Sequence, residues 1–308
     1  MINMLNRLSI LYYICFMNKL PLEKQIQITQ LLVEGNSLRS ISRIADVSFN
    51  TVLKFVPQIG EACATFHNET VVNVKSERVQ CDELWSFCSA KEKNVTEEMP
   101  EGSGDVWTWT GLDADTKLMV SWFVGDRDAQ SANFFMQDLA SRLANRVQMT
   151  TDGHHAYLNA IDNAFHLDID YAMLVKMYGA AEGKTQTERK YSPNECTGIK
   201  KQIISGEPNK KFISTSYVER SNLSIRMGNR RFTRLTNAFS KKIENHSHSL
   251  SLYFVYYNFC KIHKSLSVTP AMQAGLMKRV MTIEDIANLI VIEAPKKRGS
   301  YKKITDSK

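Results

Sequence analysis

Three carboxylates in this 308-residue chain stand where a carboxylate is either costly or useful. Asp82 lies inside an apolar run, 78–89 (RVQCDELWSFCS), where burying an unpaired charge is unfavourable. Asp152 leaves the short run 147–151 just before the turn residue Gly153. Glu219 lies in a helical stretch, with Asn222 and Arg226 at i+3 and i+7 on the same face. Oxygen donors of this kind suit Mg2+, with Mn2+ able to substitute. Two such ions about 4 Å apart activate a water or 3′-hydroxyl and stabilise the leaving oxygen of a phosphodiester. Each residue also has an ordinary reading: Asp82 paired with Arg78, Asp152 in a simple turn, Glu219 paired with Arg220 on a solvated face. Glu83 follows Asp82 and should point to the opposite strand face, so it is not expected as a ligand. For His154 and His155, beside Asp152, orienting DNA or water and a plain turn-surface role stay equally open.

For the three carboxylates to meet, a strand centre, a neighbouring strand end and a facing helix must converge. The runs 78–89, 105–113 and 117–125 read as strands with turn signals between them, in which Trp85, Trp107 and Trp109 should pack the sheet. A helical pattern over 129–146 follows, then the strand 147–151. Three meandering strands, a helix and a further strand describe the first half of a ribonuclease-H-like mixed sheet flanked by helices, an α/β class. Residues 179–213 are polar and Gly/Pro-punctuated and read as loop-rich, 216–227 as a helix, and 240–262 as a long aromatic helix.

Upstream, 22–59 read as three short helices, the second and third capped by Ser37 and Ser48. Two helices joined by a tight turn suit a helix-turn-helix, with Ser48, Asn50, Thr51 and Lys54 facing bases and phosphates; a plain three-helix bundle is the other reading. The apolar run 8–16 is too short to span a bilayer and reads as a leader or an over-extended start before Met17. The expected organisation is 1–16 leader, 17–76 helix-turn-helix, 77–275 catalytic domain, and 276–308 a C-terminal helix and basic tail.

Composition narrows the class. Hydrophobic residues make up 43% and charged residues 23%, as in ordinary globular proteins. The six cysteines form no C-x-x-C pair, which argues against a thiolate zinc site and fits reduced thiols in a cytoplasm. No run is long enough for a membrane span. The net charge of +7 is divided: 77–172 carries −10 and 196–246 carries +8. In the basic segment, Arg226, Arg230, Arg231, Arg234, Lys241 and Lys242, with Asn222, are candidate DNA contacts, as are His263 and Lys264 after the aromatic helix.

The blocks CDELWSF, TTDGHHAY and YVERSNLSIRMGNRRFTRLTNAFSKK resemble the three catalytic blocks of DDE transposases of bacterial insertion sequences, those of the insertion-sequence-one family above all. YYNFCKIHKSLSVTPAM resembles the segment that closes many such domains, and the resemblance covers roughly 17–290. It implies a ribonuclease-H-like domain behind a helix-turn-helix, with Asp82, Asp152 and Glu219 as the metal-binding triad. It also implies double-stranded DNA, both element ends and target, as the partner, and self-association in a synaptic complex in a nucleoid-associated setting. Some relatives carry an N-terminal cysteine zinc finger, which this chain lacks. Two other functions fit the same residues: a nuclease of this fold without strand transfer, and a DNA-binding repressor or inactive relic derived from a transposase.

Overall fold

The structure, a computed structural model, describes residues 20–179, 196–233 and 236–290. The expected leader, Arg234 and the tail beyond residue 290 lie outside the described residues.

Three helices open the described chain: α1 (Leu22–Val33), α2 (Leu38–Ile44) and α3 (Phe49–Thr70). Both serine caps form, Ser37 accepting from the Ser40 N–H and Ser48 from the Thr51 N–H, each at 3.1 Å. The third helix runs eleven residues past its expected end at 59, because Val52, Phe55, Val56, Ile59, Cys63 and His67 keep one face buried at helical spacing. Pro57 inside it forfeits a backbone hydrogen bond without breaking the helix.

A six-stranded mixed sheet follows, built from β1 (Arg78–Cys88), β2 (Gly104–Asp113), β3 (Met119–Gly125), β4 (Gln148–Thr151), β5 (Asp170–Tyr178) and β6 (Cys196–Ser205). Its order is β3-β2-β1-β4-β5-β6. The β1–β2, β2–β3 and β5–β6 pairs are antiparallel, while β1–β4 and β4–β5 are parallel. This order and sense are compatible with a ribonuclease-H-like sheet.

Helices α4 (Ala129–Arg142) and α5 (Ala156–Phe165) cover one face, and Trp109, Phe135, Leu139, Met149 and Tyr157 share a core there. Helices α6 (Ser216–Gly228) and α7 (Ile243–Val255) cover the other, closing over Leu84, Leu112, Val218, Ile225 and Phe254. The apolar faces of α1–α3 join the first of these cores through Ile28, Ile41, Val52 and Ile59. Two short helices, α8 (Pro270–Gln273) and α9 (Ile283–Ala287), complete the described chain.

The sheet and helices depart from the sequence expectation in four further places. The helix expected to reach 146 stops at Arg142, whose guanidinium bonds Asp138, Asn68 Oδ1 and the Val71 carbonyl and so ties the end of α4 to the end of α3. Part of the expected loop 179–213 is β6, a polar edge strand whose side chains are almost all exposed, so it carries no hydrophobic alternation. The aromatic helix starts at Ile243, three residues later than expected, and its last turn, Tyr256–Cys260, widens to π geometry. Helix α5 and strand β5 were not singled out in the sequence.

Candidate active site

Strand register brings the first two carboxylates together. On the parallel β1–β4 pair, Val79 lies beside Met149 and Gln80 beside Thr150. The ladder ends there, and two residues further along each chain stand Asp82 and Asp152, which bring carboxylate oxygens within 4.8 Å of one another. Because β4 ends at Thr151, Asp152 stands at the sheet edge, reachable from both faces.

The third group comes from α6. Gln80 Oε1 accepts the N–H groups of Tyr217 and Val218 at 2.9 and 3.1 Å, so a β1 side chain satisfies two donors that a helix start leaves open. This pins α6 over Asp82. One turn on, Asn222 donates from Nδ2 to Asp82 Oδ2 at 2.8 Å, and Glu219 faces β5. There its Oε1 accepts from Lys176 Nζ and Thr215 Oγ1, each at 2.5 Å.

Asp82, Asp152 and Glu219 line one cleft of about 740 Å³, together with Arg127, His154 and Lys176. Asp152 Oδ1 accepts the His154 N–H at 2.9 Å. Arg127, in the turn between β3 and α4, donates from Nε and Nη2 to Glu83 Oε2 at 3.1 Å and approaches Asp152 Oδ2 at 3.8 Å. Its guanidinium lies 4.8 Å over the Trp107 ring.

Glu83 obeys the expected alternation and points to the Trp109 side of the sheet, away from Asn222. Even so, one oxygen each from Asp82, Glu83 and Asp152 lie within 4.8 Å of one another. Burial first, and then the Asp152 charge, push Asp82 up to about 7, against the pull of the Glu83 N–H and the Asn222 amide. The same two causes, in the same order, bring Glu83 to about 7. Glu83 Oε1 is buried without a well-aligned hydrogen bond, although the buried Tyr157 hydroxyl near it pulls the carboxyl down. An all-oxygen donor set, strained by its own charge and with an unsatisfied oxygen, fits a hard divalent cation such as Mg2+ or Mn2+.

The other expected contacts do not gather at this cleft. Asn222 is buried, and its amide is committed to Asp82. Arg226 lies seven residues beyond Glu219, in the last turn of α6. Arg231 is drawn toward Cys88 and His246, where burial holds its guanidinium below its ordinary value. Cys88 is six residues beyond Asp82 along β1, about 20 Å at strand rise. Ser240 bridges to Cys88, which puts Lys241 and Lys242 at that same far end. Arg230 belongs to the 3-10 turn leading there. His263 sits near Lys117, on the hairpin that faces the start of β1, and Lys264 is exposed beside it. Ser48, Asn50 and Lys54 are exposed at the start of α3, with Thr51 half-buried and its hydroxyl 2.8 Å from Ser48 Oγ.

Two cleft residues, Arg127 and Lys176, and the buried Gln80 that seats α6, carry no motif. The available signal for Arg127 was its being a cation within a segment of seventeen acidic residues.

No family model matches the chain, and no curated protein is similar to it in sequence. Among solved structures, the Mos1 transposase paired-end complex with left transposon end is 12% identical, covers 50% of this chain and 59% of its own, and superposes with a TM-score of 0.22. The Mos1 mariner paired-end complex with Mn is 10% identical, covers 74% of each chain and has a TM-score of 0.26. The piggyBac transposase synaptic complex with hairpin DNA is 10% identical, covers 91% of this chain and 78% of its own, with a TM-score of 0.34. The chain thus spans about three fifths of the Mos1 chain in the first complex.

Proposed function

We propose that this protein is a DDE transposase of the insertion-sequence-one type, which binds the terminal inverted repeats of a mobile element and carries out DNA cleavage and strand transfer. The observation that carries this reading is the meeting of Asp82, Asp152 and Glu219 at one open cleft, from a strand centre, a strand end and a helix. No serine, cysteine or histidine needs to act as nucleophile in this scheme. Asp82 and Asp152, with Glu219 at the cleft wall, have the oxygen donors that would hold Mg2+ or Mn2+. A divalent ion bound there supplies the polarisation that makes a water or 3′-hydroxyl nucleophilic and stabilises the leaving oxygen.

The chain's own residues do the positioning. Gln80 fixes α6 over β1, and Asn222 orients the Asp82 carboxylate. Lys176 and Thr215 hold Glu219 at the wall, and Arg127 provides a guanidinium whose planar fork suits a phosphate oxygen as well as a carboxylate. The exposed start of α3, with Ser48, Asn50, Thr51 and Lys54, serves as the helix-turn-helix reading element, while Arg226, Arg230, Lys241, Lys242 and Lys264 contact DNA backbone further from the chemistry. Pairing of two ends implies self-association, and the site of action is a bacterial nucleoid. No helix among the described residues is long and apolar enough to cross a membrane.

The test is a strand-transfer reaction with pre-cut duplexes made from the inverted repeats that bracket the gene, with Mg2+ and a target plasmid. A joined product is expected. Cutting without joining would instead make the protein a nuclease of the same fold, and binding without either would make it a repressor.

A further inference from the structure

Glu83, buried behind the cleft on the other face of β1, is the carboxylate that the triad leaves unexplained. Its side chain is 1% exposed, far more buried than that of Asp152 at 37% or Glu219 at 39%. Its two oxygens differ. Oε2 is taken by Arg127, while Oε1 is buried and makes no well-aligned hydrogen bond, the buried Tyr157 hydroxyl, itself unsatisfied, being the donor near the carboxyl. A buried carboxylate oxygen without a donor is unfavourable, and such an atom persists where a ligand completes it. Oxygens of Asp82 and Asp152 lie within 4.8 Å, the range over which one cation spans several donors. Glu219 is absent from that close group, and its Oε1 is engaged by Lys176 and Thr215.

We propose that Glu83 is the third oxygen donor to the cation held by Asp82 and Asp152, with Arg127 balancing its second oxygen. This rests on the metal-dependent reading above and adds a ligand to it. Asp82 and Glu83, neighbours on opposite faces of β1, then grip the cation from both sides of the sheet edge, with Asp152 between them. This works only because β4 stops at Thr151, which leaves no ladder partner in the way.

The experiment is Mn2+ binding to the full chain without DNA, read by electron paramagnetic resonance titration. Wild type is compared with D82N, D152N, E83Q and R127Q. E83Q is expected to weaken binding about tenfold or more, in the range of lost ligand-shell contacts, while R127Q binds as tightly as wild type or tighter. If Glu83 served only to anchor Arg127, the two variants would weaken binding alike, and that result overturns the proposal. Wild-type binding by E83Q, with binding lost in D82N and D152N, also overturns it but leaves the metal site standing. Wild-type binding by all three carboxylate variants removes the metal reading itself. Should E83Q prove unfolded by circular dichroism, E83D decides, since it keeps the charge and withdraws the oxygen: weakened binding supports the proposal and unchanged binding overturns it.

Discussion

Asp82 and Glu83 hold protons at pH values where carboxylates in an unfolded chain have lost them. Burial and the Asp152 charge are the main causes for both, and each is raised to about 7. Between roughly pH 4 and pH 7 these two carboxyls therefore bind more protons in the folded, metal-free protein than in the unfolded chain, so their contribution to stability falls as pH rises through that window, while His67 and His246, lowered by burial to about 3, act in the opposite sense. Asp82→Asn removes one of these charges. Thermal unfolding without divalent ions should show the variant melting several degrees above wild type at pH 8, about 5 °C for some 2 kcal/mol, and converging with it near pH 4. A gap between the melting temperatures of D82N and wild type that fails to widen from pH 5 to pH 8 would contradict this account of the cleft. The residue-scale reading of the sequence located Asp82, Asp152 and Glu219 by position and neighbours. It set Glu83 aside because alternation fixes which face a side chain leaves from, but not how far a long carboxylate reaches around a strand that has lost its partner.

Most elements that bury one face were legible, α5 and β5 excepted, because period two and period 3.6 appear directly in the residue order. Strands β1 to β4 and helix α6 stand within a few residues of their expected positions. Strand β6 was not legible: Thr197, Lys200, Lys201 and Gln202 have no buried face to announce, and the strand exists through its backbone pairing to β5. The length of α3 was also missed, because its second half is held by tertiary packing, as α3 and α7 lie side by side. At their contact Gly60 leaves no room for a Cβ against His248, whose Cβ would meet it first and whose Cα and carbonyl oxygen follow at 2.6 and 2.7 Å. Gly60→Ala should therefore force the two helices apart and cost about 1–3 kcal/mol, although alanine is the better helix former. Urea unfolding measures this, and a variant as stable as wild type would mean that the helices are less closely seated than described.

Across the whole molecule the division of charge is spatial as well as sequential. The acidic block supplies Asp82 of β1 and Asp152 just past β4, which face the cleft, and its seven cations include Arg127 and Arg142, which act as internal counter-ions and ties. The basic block leaves the cleft along α6 and ends beside Cys88, so its cations border the sheet rather than surround the chemistry. Linear order could not reveal this, because adjacency to Glu219 in sequence becomes about 20 Å of strand in space. The central claim is that three carboxylates from three elements act as one metal-dependent phosphodiester centre on DNA. The most direct measurement is strand transfer of pre-cut ends in Mg2+ by wild type, D82N, D152N and E219Q, each shown to be folded and to bind the ends. The account predicts a joined product for wild type and a loss of about a thousandfold or more in each variant, as expected when members of one catalytic unit are removed singly. Near wild-type joining by any one of the three would contradict it.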